Sequence, residues 1–273
     1  MSARSIAVAN QKGGVGKTTT AVSLAACLAE RGKRTLLVDL DPQANATSAL
    51  GLEKLSGGSV YQALLDRAAL AQAIRPSGYE NLDVIPSEVD LAVAEVDVAR
   101  TENYLQRLRL ALAPISEQSR YEFLLVDCPP SLGILTMNAL AAVQRVLVPL
   151  QCEYFALEGL AIIMRVLQQV RDSGANPSLE LEGIVMTMFD ARTNLSQQVV
   201  NDVRTHFGEK VFKTMIPRTV RLGEAPSFGK PITVYDPHSN ASAAYRALAE
   251  ELLARAGLPQ AARESVPSAP AVV

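Results

Sequence analysis

Gln11-Lys12-Gly13-Gly14-Val15-Gly16-Lys17-Thr18-Thr19 lies between an apolar, strand-like run at residues 6–9 and a helical stretch at 19–30. Strand, glycine-rich loop and helix in that order gather successive backbone N–H groups and a helix N-terminus around one point, which makes an anion site. Gly16-Lys17-Thr18 supplies the core of a phosphate loop: Lys17 bridges the β- and γ-phosphates, and the Thr18 hydroxyl can ligate Mg²⁺. Gly13, Gly14, Val15 and Gly16 supply the cradling backbone, and Thr19 opens the helix. A lone glycine-rich stretch reads as a tight turn, but the flanking strand and helix decide for nucleotide binding. The ordinary pattern places a glycine five residues before Gly16, where this chain has Gln11, followed by a second lysine, Lys12. From the shoulder of the loop, the Lys12 side chain cannot easily curl back to its own nucleotide's phosphates. It reads either as a solvated loop lysine or as a cation that reaches a nucleotide held by another subunit.

Outward from the loop, apolar runs alternate with helix-length segments. Strands are expected at residues 6–9, 35–38, 82–85, 123–126, 146–149, 183–188 and 211–213, with helical segments that include 18–30, 104–112, 157–172 and 195–207. Short apolar runs separated by helix-length segments indicate βαβ crossovers. The fold expected is therefore α/β, a mostly parallel twisted sheet with helices on both faces, with the ligand at the carboxyl ends of the strands. Residues 1–256 read as a single domain, and residues 257–273, rich in Pro, Ala and Ser, as a disordered tail.

Composition bounds the function. In 273 residues, a hydrophobic content of 48% suits an ordinary buried core, and a net charge of -2 leaves any nucleic-acid contact to a local basic patch. Three widely spaced cysteines form no disulfide framework and no metal-ligand spacing, which fits a reducing cytoplasm. No signal sequence opens the chain, and no apolar run approaches the roughly 20 residues of a membrane span. A cytoplasmic protein is expected.

Acidic groups end two of the expected strands. Asp39 and Asp41, alternate residues at the end of the second strand, project into one crevice. In-line attack of water on a γ-phosphoryl group needs charge neutralisation and a residue that orients the water. Asp127 closes the apolar run Phe123-Leu124-Leu125-Val126, the pattern of an acidic group near a phosphate-bound metal. Helix capping or turn chemistry is the competing reading for Asp39 and Asp41.

The loop resembles the deviant Walker A motif of the ParA/MinD family of ATPases, and within it the ParA/Soj branch, which partitions chromosomes and plasmids. Four further stretches carry the resemblance: Asp39-Leu40-Asp41-Pro42-Gln43-Ala44-Asn45-Ala46-Thr47, Val126-Asp127-Cys128-Pro129-Pro130-Ser131, Gln151-Cys152-Glu153-Tyr154-Phe155-Ala156-Leu157-Glu158-Gly159 and Ile216-Pro217-Arg218-Thr219-Val220-Arg221-Leu222. The resemblance implies ATP and Mg²⁺ as cofactors, with Lys12, Lys17 and Asp41 catalytic. Asp41 would orient the water, and Thr18, Asp39 and Asp127 would serve the metal, Asp39 through water. It implies base contacts at Pro217 and Thr219, where the family often carries asparagine in place of Thr219. It further implies an ATP-dependent homodimer in which each Lys12 meets the partner's phosphates, and binding to double-stranded DNA without sequence preference. DNA contacts fall to Arg192, Arg218 and Arg221, within a late basic set that also holds Arg204, Lys210, Lys213 and Lys230. A centromere-binding partner of the ParB type would stimulate slow hydrolysis, and the protein would be nucleoid-associated.

Other phosphate-loop proteins fit less well. A MinD-like membrane ATPase needs a C-terminal amphipathic helix, and residues 264–270 are broken by proline. An iron–sulfur reductase needs cysteines at a dimer interface, whereas Cys128 and Cys152 read as buried small hydrophobes. A metabolic amide ligase needs further catalytic groups, and the chain has only two histidines.

Overall fold

The computed structural model describes residues 3–54, 58–65 and 70–258. The Pro/Ala-rich tail expected from residue 257 therefore falls, from 259 onward, outside the described residues. In chain order the elements are β1 (Arg4–Val8), α1 (Lys17–Glu30), β2 (Thr35–Asp39), α2 (Asn45–Ala49), α3 (Val60–Leu65), α4 (Leu70–Ala73), β3 (Arg75–Tyr79), β4 (Leu82–Ile85), α5 (Leu91–Ala99) and α6 (Arg107–Glu117). They continue with β5 (Phe123–Asp127), α7 (Ile134–Ala142), β6 (Arg145–Gln151), α8 (Ala156–Asp172), β7 (Glu180–Phe189), α9 (Asn194–Phe207), β8 (Val211–Pro217), α10 (Arg221–Glu224), α11 (Ile232–Tyr235) and α12 (Asn240–Arg255).

One sheet runs in the order β3-β4-β2-β5-β1-β6-β7-β8, and every pair is parallel except β3 with β4. Alternation along the strands divides the core in two. Ile6, Val8, Leu37, Phe123, Leu125 and Leu147 pack with α1, α2 and α12, whereas Ala7, Leu36, Val38, Leu124, Val126, Val146 and Val148 pack with α3 and α5 to α9. Both faces of the strands are covered, which is why they read as continuous apolar runs. From β1 the chain crosses over β5 to reach β2, and from β5 it crosses over β1 to reach β6. The connections thus diverge at the β1–β5 pair, and a crevice opens at its carboxyl end.

Three differences from the expected elements have local causes. β3 (Arg-Pro-Ser-Gly-Tyr) carries turn residues, and it survives as a strand only because an edge position tolerates Pro76. The helix expected at 104–112 begins instead at Arg107, because the Asn138 side chain accepts the Leu108 N–H at 3.1 Å and donates to the Tyr104 carbonyl at 2.8 Å. β8 continues past the polar pair Lys213-Thr214 to Pro217, pairing along β7 as the opposite edge strand.

Candidate nucleotide site

The loop after β1 is pinned from two strands, β6 and β7. Asn10 donates its amide to the Pro149 carbonyl at 2.8 Å and accepts the Lys12 N–H at 3.0 Å. Thr187 of β7 donates its hydroxyl to the Val15 carbonyl at 2.9 Å. Gly14 and Gly16 adopt φ of 75° and 87°, a left-handed backbone that turns the intervening N–H groups toward a common centre. Open space lies over Gly13 and Gly14. Gly16 caps α1 with no side-chain hydrogen bond, so the helix N-terminus is left for a ligand. Lys17 is buried, and its ammonium donates to the Lys12 carbonyl at 2.8 Å. Burial lowers the Lys17 pKa, opposed by Asp127 and Asp41 nearby.

The acidic ends of β2 and β5 lie in register, Asp39 opposite Asp127, and Asp127 in turn opposite Val8 of β1. The two carboxylates differ sharply. Asp39 is fully buried and accepts the Thr47 hydroxyl at 2.7 Å, the Thr47 N–H at 2.8 Å and the Asp41 N–H at 3.2 Å, which ties β2 to α2. Burial nevertheless pushes its pKa up to about 6. Asp127 is equally buried, yet neither carboxylate oxygen has a hydrogen-bond partner among the described residues. Burial first, and the Asp39 carboxylate second, raise its pKa well above the usual carboxylate range, opposed by the nearby Thr18 hydroxyl. A buried carboxylate without partners beside Lys17 and Thr18 is a group built to meet a cation. No enclosing cluster of three or more His, Cys, Asp or Glu exists among the described residues. That suits Mg²⁺, which keeps its waters and takes its other ligands from phosphate.

Asp41 is 6% exposed at the crevice. One of its oxygens accepts the Gln43 N–H at 2.9 Å, and its carbonyl accepts the Ser87 hydroxyl at 2.7 Å. The turn chemistry weighed for Asp41 is thus present, on a carboxylate whose charge also acts on Lys17.

Beyond Gly16 and Thr19 a cleft of about 510 Å³ is lined by Thr187, Met188, Ile216, Pro217, Thr219, Tyr245 and others. Pro217 and Thr219 both line it, and the Thr219 hydroxyl accepts the Arg221 N–H at 3.3 Å. Met188 holds a left-handed φ of 52° within β7 at this cleft, a local strain of the kind found where a ligand is gripped. Arg192 and Arg218 also line it.

The late basic set does not form one face. Lys210 and Lys213 precede or begin β8 and line a different cleft with Arg4, Arg145 and Arg255, at the amino ends of the strands. Arg218 follows the opposite end of β8. Arg192 is paired bidentately with Asp190, at 2.7 and 2.9 Å, and Arg221 with Glu224 at 3.1 Å and Asp236 at 3.6 Å. Several residues that organise the site escaped a linear reading: Asn10, Ser87, Glu153 and Thr187. Their partners are brought by the fold from as far as 172 residues away, so no spacing signals them.

An anion cradle opening onto a partnerless acidic strand end, with a base-sized cleft beyond it, defines the class: this is a P-loop ATPase. The family model for an AAA domain matches residues 3–181. Chromosome partitioning protein ParA of Myxococcus xanthus is 50% identical over 92% of this chain and 88% of its own length. Sporulation initiation inhibitor protein Soj of Bacillus subtilis is 51% identical over 91% of this chain and 98% of its own. The chain belongs to the ParA/Soj family of chromosome-partitioning ATPases. Among solved structures it is similar to cobyrinic acid a,c-diamide synthase of Mycobacterium smegmatis with bound ATP analog and magnesium, at TM-score 0.80 and 37% identity over 93% of this chain and 96% of that one. The cell division ATPase MinD of Pyrococcus furiosus aligns at TM-score 0.76 and 25% identity, over 91% and 98%. Among the described residues, no helix is long and apolar enough to cross a membrane.

Proposed function

We propose that the protein is an ATP-driven dimeric switch that binds double-stranded DNA without sequence preference in its ATP state and partitions a chromosome or plasmid. The observation that carries this reading is Lys12. Its main chain belongs to the phosphate loop, but its ammonium is turned away to Glu153 and half exposed, so it is available to a nucleotide on another subunit.

Lys17 and the loop N–H groups hold the phosphates, Pro217 packs on the base, and Asp41 orients the attacking water. Thr18 would ligate Mg²⁺, Asp127 would meet the ion from the end of β5, and Asp39, held by Thr47 and the Asp41 N–H, would act on it only through water. When bound, that ion neutralises phosphate charge during in-line attack. A lysine from each subunit against the other's phosphates makes dimerisation depend on ATP, and hydrolysis weakens the bridge. Arg192, Arg218 and Arg221 then supply phosphate contacts, which a dimer doubles. A ParB-type partner would stimulate hydrolysis and reset the cycle.

An amide-forming reading draws on the Mycobacterium smegmatis likeness, but the ParA and Soj relatives are markedly more similar to this chain. Filter binding of duplex DNA with ATP, ADP or no nucleotide tests the proposal. Binding is expected with ATP alone and should fall steeply with salt; equal retention under all three conditions would overturn it.

A further inference from the structure

Lys12 and Glu153, 141 residues apart in sequence, form an ion pair across the β1–β6 edge of the nucleotide crevice. Both ends are mounted on ordered backbone. The Lys12 main chain is bonded to Asn10 and Lys17. Glu153 lies two residues past the end of β6, where the Cys152 N–H meets the Thr187 carbonyl at 3.1 Å and the Ala156 N–H meets the Glu153 carbonyl at 3.1 Å. The side chains remain 47% and 27% exposed, so another molecule can compete for the ammonium. The next two residues, Tyr154 and Phe155, are 80% and 58% exposed, with their rings edge to face at 5.1 Å. An uncovered aromatic pair beside a surface ion pair is an unusual place to leave apolar area.

We propose that Glu153 is a positioning residue that parks Lys12 in the monomer, and that a second copy of this chain must take Lys12 from it as it covers Tyr154 and Phe155. The inference rests on the cross-subunit role given to Lys12 above. One carboxylate competes with the partner's phosphates for one ammonium. The multiple charge of ATP outbids it, and a nucleotide without the γ-phosphate does so less well. Breaking the pair costs the ATP and ADP dimers the same free energy, so it weakens both alike and leaves only the stronger, ATP-bound dimer populated at a given protein concentration.

Sedimentation equilibrium of the full chain with Mg²⁺ and a non-hydrolysable ATP analogue tests this. Two exposed pairs are broken per dimer, so Glu153→Gln should lower the dimer dissociation constant by about 2- to 30-fold. The monomer's affinity for the analogue should not change. Combining it with Lys12→Ala should give no further change over Lys12→Ala alone. An unchanged or raised dissociation constant in Glu153→Gln, with Lys12→Ala monomeric, overturns the parking role and leaves the cross-subunit role standing. Dimerisation of Lys12→Ala at the parent's strength overturns both. Should Glu153→Gln fail to fold, Glu153→Asp shortens the arm and is read on the same scale.

Discussion

Asp127 and Asp39 occupy matching positions on neighbouring strands, yet one is saturated with hydrogen bonds and the other has none. That contrast separates a carboxylate that builds the site from one held ready for a ligand. It also carries a stability cost in the nucleotide-free protein. Asp39 titrates near 6 in the fold, above the usual value for aspartate, and Asp127 is shifted the same way. The folded chain then binds more protons than the unfolded chain from about pH 4 upward. Stability without nucleotide is therefore expected to fall as pH rises through that window, and denaturant titrations at pH 5 and 7.5 measure it. Asp127→Asn should stabilise the nucleotide-free protein at pH 7.5 by about 1–3 kcal/mol while abolishing hydrolysis. A destabilised Asn variant would mean that the carboxylate has partners of its own. Asp41→Ala separates binding from chemistry: with the role proposed for Asp41 limited to orienting the water, the variant should retain ATP and lose hydrolysis by about 100-fold or more. Turnover close to the parent's would pass that role to another residue.

Among the elements, the segment after Asp41 and the segment after β8 meet through two glycines. A Cβ on Gly229 would lie 2.7 Å from the Gly51 Cα, and Gly229 holds φ +62°, so both backbone clash and strain oppose any side chain. The Tyr79 hydroxyl also reaches the Gly229 carbonyl, at 3.4 Å. Gly229→Ala should cost about 1–3 kcal/mol, read as a lowered melting temperature. A neutral effect would mean that the two segments part easily. At this scale the sequence is informative where the signal is local. The phosphate loop, the acidic strand ends and the apolar runs of β1, β2 and β5 each declare themselves within a few residues. β3 did not, because Pro76 and Gly78 disguise an edge strand as a turn. Glu153 did not, because its meaning depends on a lysine that the neighbouring strand β1 brings from 141 residues away. The division of the basic residues between the two ends of β8 was equally invisible, since a linear cluster carries no direction.

Over the whole molecule, a net charge of -2 and arginines engaged by their own neighbours predict weak DNA binding by a monomer. In the proposed dimer, two copies would bring two sets of arginines to one duplex, and avidity would supply the rest. Arg221→Glu should abolish DNA retention while leaving nucleotide-dependent dimerisation intact; loss of the dimer as well would make Arg221 structural. Everything in this scheme passes through the second lysine of the loop. The most direct measurement is sedimentation velocity of the parent and of Lys12→Ala with ATP, ADP and no nucleotide. The account predicts a dimer for the parent with ATP alone, and a Lys12→Ala variant that binds ATP yet stays monomeric. A Lys12→Ala variant that dimerises with ATP as the parent does would contradict it.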